Sequence, residues 1–251
     1  MKKLFILIFF SIAGIHIYAG ELEDVLQKAN TLYNAERYEE ASSLYQQLVD
    51  SDIVSAKLYY NLGNAYYKND QIPQAIYYYE KAKKWDPGNE DIIHNLEVAN
   101  QKIVDKPELV PELFFESWWK AWLRFFSANQ WAIISLILFN AIFLLASVFF
   151  LSRSVRSKKM SFYGGLIIAF ISLFSFYFSY KSYEYAVSHD EAIVFSPSVV
   201  VKSSPNDKSV DLFVIHEGLK IKLIENEGDW SKIRIGNGKI GWIPKQDYRK
   251  I

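Results

Sequence analysis

The 251-residue sequence contains no cysteine. That absence excludes disulfides, thiolate nucleophiles, thiolate-bound metals and lipid anchoring through cysteine. Histidine is scarce as well: His16, His94, His189 and His216 fall in separate segments, without the close spacing of a metal site. Net charge is missing, since 28 basic side chains balance 28 acidic ones, whereas a nucleic-acid surface needs excess positive charge to neutralise phosphates. No nucleophile elbow, Walker loop or convincing carboxylate dyad occurs. Gly236-Asn237-Gly238-Lys239-Ile240-Gly241 has the spacing of a dinucleotide fingerprint, but that motif needs a helix start to receive the pyrophosphate, and a strand-like run follows here. The sequence therefore predicts a protein that is not an enzyme and uses no cofactor, metal or nucleic acid.

What is present is sorted along the chain. Residues 21–106 carry 15 acidic and 9 basic side chains, while 152–159 hold four basic residues and no acidic one. Residues 1–19 read as a secretory signal, with Lys2 and Lys3 before an apolar run from Leu4 to Ile15 and Ile17-Tyr18-Ala19 as a small-residue cleavage site. An uncleaved anchor is the alternative, disfavoured by the shortness of the run.

A period of about 34 residues marks one helical hairpin per repeat. Tyr59-x2-Leu62-Gly63-x2-Tyr66, then Ala75-x3-Tyr79, Ala82 and Pro87, follow the tetratricopeptide (TPR) pattern. Thirty-four places earlier stand Ala29, Ala41, Tyr45 and Leu48. Residues 20–106 are thus a TPR domain, with repeats at 22–55 and 56–89. A small residue at Gly63 or Ala29 admits the facing helix, and Tyr79 or Tyr45 fills the space between hairpins. Ile92, Ile93, Leu96, Ala99 and Ile103 make 90–104 an amphipathic cap. Two repeats are a short array, so support is expected from a partner, a second copy or the membrane. The first helix of each hairpin lines the concave side, which by repeat phase places Asn30, Tyr33, Tyr60, Asn61, Asn64, Tyr67 and His94 there as candidate partner-binding residues.

Residues 107–130 form a linker and an aromatic helix. Phe114, Phe115, Trp118, Trp119, Trp122, Phe125 and Phe126 share one stripe opposite Glu112, Glu116, Lys120 and Arg124, a composition suited to the membrane headgroup layer. Residues 131–151 then run without charge for about 30 Å of helix, one hydrocarbon thickness. A second apolar run spans 162–180. The basic loop between them, 152–161, predicts a cytoplasmic turn, which puts both flanking domains outside. Asn140, in the middle of the first span, is expected to pair with Ser172 or Ser175 on the second.

Residues 191–251 alternate as strands at 192–195, 199–201, 213–215, 219–224, 230–235 and 240–243, punctuated by glycines, with Asn237-Gly238 as a hairpin turn. A small closed barrel accommodates so many short strands. Val201-x-Ser203-x-Pro205, Glu217-Gly218, Asp229-Trp230 and Gly241-Trp242-Ile243 resemble the bacterial SH3 order. Trp230 and Trp242 are the candidate ligand-binding aromatics for a proline-rich or cell-wall peptide.

The predicted fold class is multidomain: an all-α TPR array, a two-helix transmembrane hairpin and a small all-β SH3-like barrel. This order of elements resembles the BatE family of the Bacteroides aerotolerance operon. The resemblance implies a bacterial inner-membrane protein, its TPR and SH3 domains in the periplasm, acting with von Willebrand factor A domain proteins and a MoxR-type ATPase in envelope stress. It transfers no catalytic residue. The expected function is a non-catalytic adaptor working through the TPR groove. The alternative is a sensor or tether that binds peptidoglycan peptides through the SH3 domain.

Overall fold

Two helical hairpins repeat with the 34-residue period. In the computed structural model, which describes residues 22–106 and 114–251, helix α1 runs through 22–34. It is followed by α2 (Tyr38–Asp50), α3 (Ala56–Lys68), α4 (Ile72–Trp85) and α5 (Glu90–Asn100). The signal segment expected at 1–19 lies outside the described residues. The two hairpin turns are built alike. Glu36 and Asp70, 34 apart, adopt left-handed φ of 60° and 56°. The Arg37 and Gln71 N–H groups then return to the Leu32 and Tyr66 carbonyls, both at 2.9 Å, closing each first helix. Ser55 caps α3 by accepting from the Leu58 N–H, and Asn89 caps α5 by accepting from Asp91 and Ile92. Ala29, Ala41, Tyr45, Leu48, Leu62, Ala65 and Ala82 are buried in one cluster.

A long helical hairpin follows. Helix α6 (Phe114–Arg124) leads into α7 (Ala128–Leu151), and α8 (Val155–Val187) runs back beside it. Both α7 and α8 are long and apolar enough to cross a membrane. The connection is shorter than the expected loop at 152–161, because α8 begins at Val155 and takes Arg156, Lys158 and Lys159 into its first turns. Arginine and lysine are good helix formers and no breaker intervenes. At its other end α8 continues past Tyr180, with Lys181 and Glu184 paired at 2.7 Å. Antiparallel contacts run the length of the pair. Ser179 Oγ donates to the Ala128 carbonyl at 2.9 Å, and Trp131 stacks on Phe178 at 5.0 Å. The Ser135 and Ser172 hydroxyls each donate to the other's backbone carbonyl at 3.1 Å. The expected pairing of Asn140 does not form. Asn140 is exposed and its Nδ2 donates to the Leu136 carbonyl of its own helix at 2.8 Å. On α6, Phe114, Phe115 and Trp118 are exposed, as is Phe125 just after it, while Trp119 reaches Phe178 at 5.2 Å.

Seven strands close the chain: β1 (Glu191–Val194), β2 (Ser198–Lys202), β3 (Asp211–His216), β4 (Lys220–Glu227), β5 (Trp230–Arg234), β6 (Ile240–Pro244) and β7 (Tyr248–Lys250). They form one antiparallel sheet in the order β3-β2-β6-β5-β4-β1-β7. The sheet curls, because inward residues from Val194 on β1 to Ile215 on β3 and Tyr248 on β7 share a single buried core. Sequence periodicity missed β7, whose three residues are too few to alternate visibly. In the β5–β6 turn Gly238 has φ of 87°. Asn237 does not share that conformation and instead accepts from the Lys239 N–H at 3.1 Å. The dinucleotide-like spacing thus lies in a β-hairpin.

The helical and β units are joined directly. Strand β1 is buried on both faces: Ala192 and Val194 point into the sheet core, while Ile193 enters a cluster with Ala75, Ile76, Tyr79, Leu96, Ala99 and Ile251. The short array, for which support was expected from a partner, a second copy or the membrane, is thus also covered by the chain's own β unit. Lys220 Nζ lies 2.9 Å from Glu80 Oε2 and 3.0 Å from Glu191 Oε2. Buried Lys84 donates to the Ser188 and Ile251 carbonyls at 2.6 and 3.0 Å. Asp105 accepts from the His216 N–H and faces its ring, and Tyr77 meets Phe195 edge-on.

Gly63 sets the spacing of α3 and α4. A Cβ there would lie 2.7 Å from two ring carbons of Tyr79, and that ring is 1% exposed. Gly63→Leu is expected to destabilise the helical unit by roughly 1–3 kcal/mol or more through overpacking. The midpoint of urea unfolding followed by tyrosine fluorescence measures this, and an unchanged midpoint would show that α3 and α4 can separate freely.

Candidate partner-binding groove

Two adjoining depressions, of about 370 and 280 Å³, run along the concave side of the helical unit. The first is lined by Asn30, Tyr33, Asn34, Tyr45, Asn61 and Asn64. The second takes in Tyr60, Tyr67, Lys68, Tyr79, Asn95 and Val98 beside Tyr33 and Asn64. Six of the seven candidate residues thus come together. The seventh, His94, does not line either depression; it is exposed, and its neighbour Asn95 is the α5 side chain that reaches the groove.

The polar groups repeat with the fold. Tyr45 Oη donates to Asn30 Oδ1 at 2.7 Å, and 34 residues later Tyr79 Oη donates to Asn64 Oδ1 at the same distance. Asn61 Nδ2 reaches Asn30 Oδ1 at 3.5 Å, and its equivalent Asn95 reaches Asn64 Oδ1 at 2.9 Å. Asn95 also donates to Tyr60 Oη at 2.9 Å. Each first-helix asparagine therefore accepts from a phenol behind it and from a carboxamide on the next helix along the array, α3 for Asn30 and α5 for Asn64. Burial pushes the Tyr45 phenol up to about 12 and raises that of Tyr79 further, so both stay protonated donors at neutral pH. Asn34 and Lys68 occupy equivalent places at the groove's edge, and Asn34 is exposed. Among the described residues the lining has no carboxylate, and Lys68 is its one cation. Such a surface offers hydrogen bonds to a neutral extended backbone rather than a counter-charge.

Asn34, Tyr45, Lys68, Tyr79, Asn95 and Val98 went unassigned to the groove at the sequence level. The repeat phase could have supplied Asn95, which stands 34 places after Asn61. Tyr45 and Tyr79 belong to second helices, and only the packing shows that their hydroxyls emerge between first helices.

In the β unit, Trp230 pairs with Pro244 and Lys232 with Trp242. Paired residues share a face, so both tryptophans lie on the outer face, with Ser231, Ile233 and Ile243 turned inward. Trp230 is half-buried. Trp242 is 7% exposed, with the Lys232 ammonium 5.7 Å from its ring centroid. No group of three or more potential metal ligands occurs among the described residues.

Residues 26–90 match the tetratricopeptide repeat family. The protein contains TPR repeats. Part of the chain is also similar to a peptidyl-prolyl cis-trans isomerase, CYP7, of Saccharomyces cerevisiae, with 33% identity over 81 residues. That match covers 31% of this chain and 21% of the yeast protein, so the chain spans about a fifth of that relative's length. TPR repeats generally mediate protein–protein interactions.

The internal bonds alter what substitution of Asn64 should do. Sequence phase alone makes it a solvated surface position whose loss is nearly neutral. Asn64→Ala instead strands the buried Tyr79 hydroxyl and one Asn95 donor, a loss of about 1–3 kcal/mol. Tyr79→Phe in the same background should recover part of that loss, a coupling that a double-mutant cycle in urea measures. A fully additive cycle would contradict the bonded pair.

Proposed function

We propose that the protein is a non-catalytic adaptor of the bacterial inner membrane, anchored by α7 and α8, that holds an extended segment of a partner protein in its TPR groove. The observation that carries this reading is the preorganised row of carboxamides and phenols along the groove. Groups already held by one another lose little conformational entropy on binding. In a Bat-type complex, the partners would be membrane proteins with von Willebrand factor A domains. The second reading, an SH3-like barrel that binds cell-wall peptides, is favoured by one observation, the shared outer face of Trp230 and Trp242.

The packing of the hairpin supports one topology for such an anchor. Helices α7 and α8 are antiparallel, so the start of one and the end of the other meet at Ala128 and Ser179. The TPR and β units touch each other beside that end, where Trp85 packs on Tyr183 and Lys84 on Ser188. Both units then share one side of the bilayer, and the basic turn with Arg153, Arg156, Lys158 and Lys159 takes the other, the cytoplasm by the positive-inside rule. Reporter fusions after Lys106 and Ile251 should both be active outside the cytoplasm, and one at Ser157 inside. A cytoplasmic β unit would overturn this arrangement.

Asn34 separates recognition from folding, because it lines the groove and is exposed. Asn34→Ala should leave stability within ~0.5 kcal/mol and reduce co-purification of partner proteins from solubilised membranes. Trp230→Ala should leave that capture intact. If instead partners persist in Asn34→Ala and binding to purified sacculi disappears in Trp230→Ala, the cell-wall reading replaces the adaptor.

A further inference from the structure

Asn140 stands at the middle of α7 and points away from α8. The α7 residues that meet α8, Trp131, Ser135 and Leu145, fall on the opposite side of the helix at 100° per residue. One Asn140 N–H is satisfied by the Leu136 carbonyl; its second N–H and its Oδ1 face outward. Hydrocarbon offers no partner for them, and polar groups at that depth are retained where another helix supplies one. Ser172, about five residues along α8 from the level of Asn140, is already committed to Ser135. Ser147, seven residues on, lies on the same outward stripe, with its hydroxyl returned to the Phe143 carbonyl. Around the two lie Ile133, Leu136, Leu144 and Leu151, 57 to 81% exposed.

We propose that this face docks against the same face of a second copy of the chain, the two α7 helices running parallel with their Asn140 carboxamides paired. The proposal rests on the reading of α7 as a membrane span. Two copies inserted in one topology bring Asn140 to the same depth automatically, and a carboxamide, both donor and acceptor, is complementary to itself. A different protein would need a polar group of its own at that depth and register. The seven-residue spacing of Ile133, Asn140 and Ser147 is that of a left-handed parallel pair, in which a single asparagine among apolar positions sets the register and favours two strands. The stripe carries no charge that such a pair would leave buried. Pairing also places two TPR grooves on one assembly, so that a partner with two binding segments is held by avidity.

The cysteine-free sequence makes the test direct. Single cysteines at Leu136 or Leu144, on the outward face, should oxidise to disulfide-linked dimers in native membranes, while Leu145→Cys, against α8, should not. Adding Asn140→Leu should lower the dimer fraction by about three- to thirty-fold, and Asn140→Gln should retain most of it. Equal cross-linking at 144 and 145, insensitivity to Asn140→Leu, or cross-links to a different protein in place of self would each overturn the dimer. An alkaline carbonate wash separates the two levels. Retention in the pellet without face-specific cross-links sinks the dimer alone, and release into the supernatant sinks the membrane span and the dimer with it.

Discussion

The contact between helix α4 and strand β1 is the constraint on which the rest of the architecture depends. It carries a short row of charges, Glu80 and Glu191 about the Lys220 ammonium, flanked by Lys84 on backbone carbonyls. Burial works against each ammonium. For Lys220 the two carboxylates outweigh it and hold the group above its ordinary range. Lys84 faces mostly neutral oxygens, and its burial lowers it. Partly buried ion pairs of this kind add little net stability over an apolar contact of equal size. Their effect is on register, since a slip of one residue would strand a carboxylate or an ammonium in the interface. The attraction itself comes from Ile193, Ile251 and Phe195 against Ala75, Ile76 and Ile103.

This contact converts a short repeat array into a stable end. Stacked hairpins must cover their last apolar face, and here β1 does so after a detour of some ninety residues through the hairpin. At about 50 Å, α8 is longer than the roughly 30 Å hydrocarbon core, and its excess turns extend to the α4–β1 contact. The aromatic cluster of Trp119, Trp131 and Phe178 gathers α6, α7 and α8 near that end. Groove, β unit and hairpin are therefore coupled through packed side chains.

The groove obeys the same economy of paired polar groups. Asparagine and tyrosine are costly to leave unsatisfied near a packed interior, and the two hairpins solve this in the same way, each asparagine taking a phenol from behind and a carboxamide from the next helix along the array. Stability and recognition consequently draw on the same side chains. Asn34 and Lys68, at the edge, are the places where the two roles separate.

Local chemistry settled much of this protein in advance. The 34-residue spacing of Ala29, Gly63, Tyr45 and Tyr79 records close packing between neighbours along the chain, so the hairpins, their turns and six of the seven proposed groove residues were legible. Long uncharged runs announce helices fit for a bilayer for the same reason, that the property belongs to the segment itself. Partner choice between segments was decided only by tertiary structure. Asn140 reads as a mid-span polar residue from either side, and which way it points depends on how α7 rotates against α8. Ala192-Ile193-Val194-Phe195 reads as a strand, but its unbroken apolar character, the mark of burial on both faces, acquires meaning only when α4 arrives to cover the second one. The pairings of Glu80 with Lys220 and of Asp105 with His216 join residues more than a hundred positions apart. No periodicity encodes them, because they arise where two independently patterned surfaces meet.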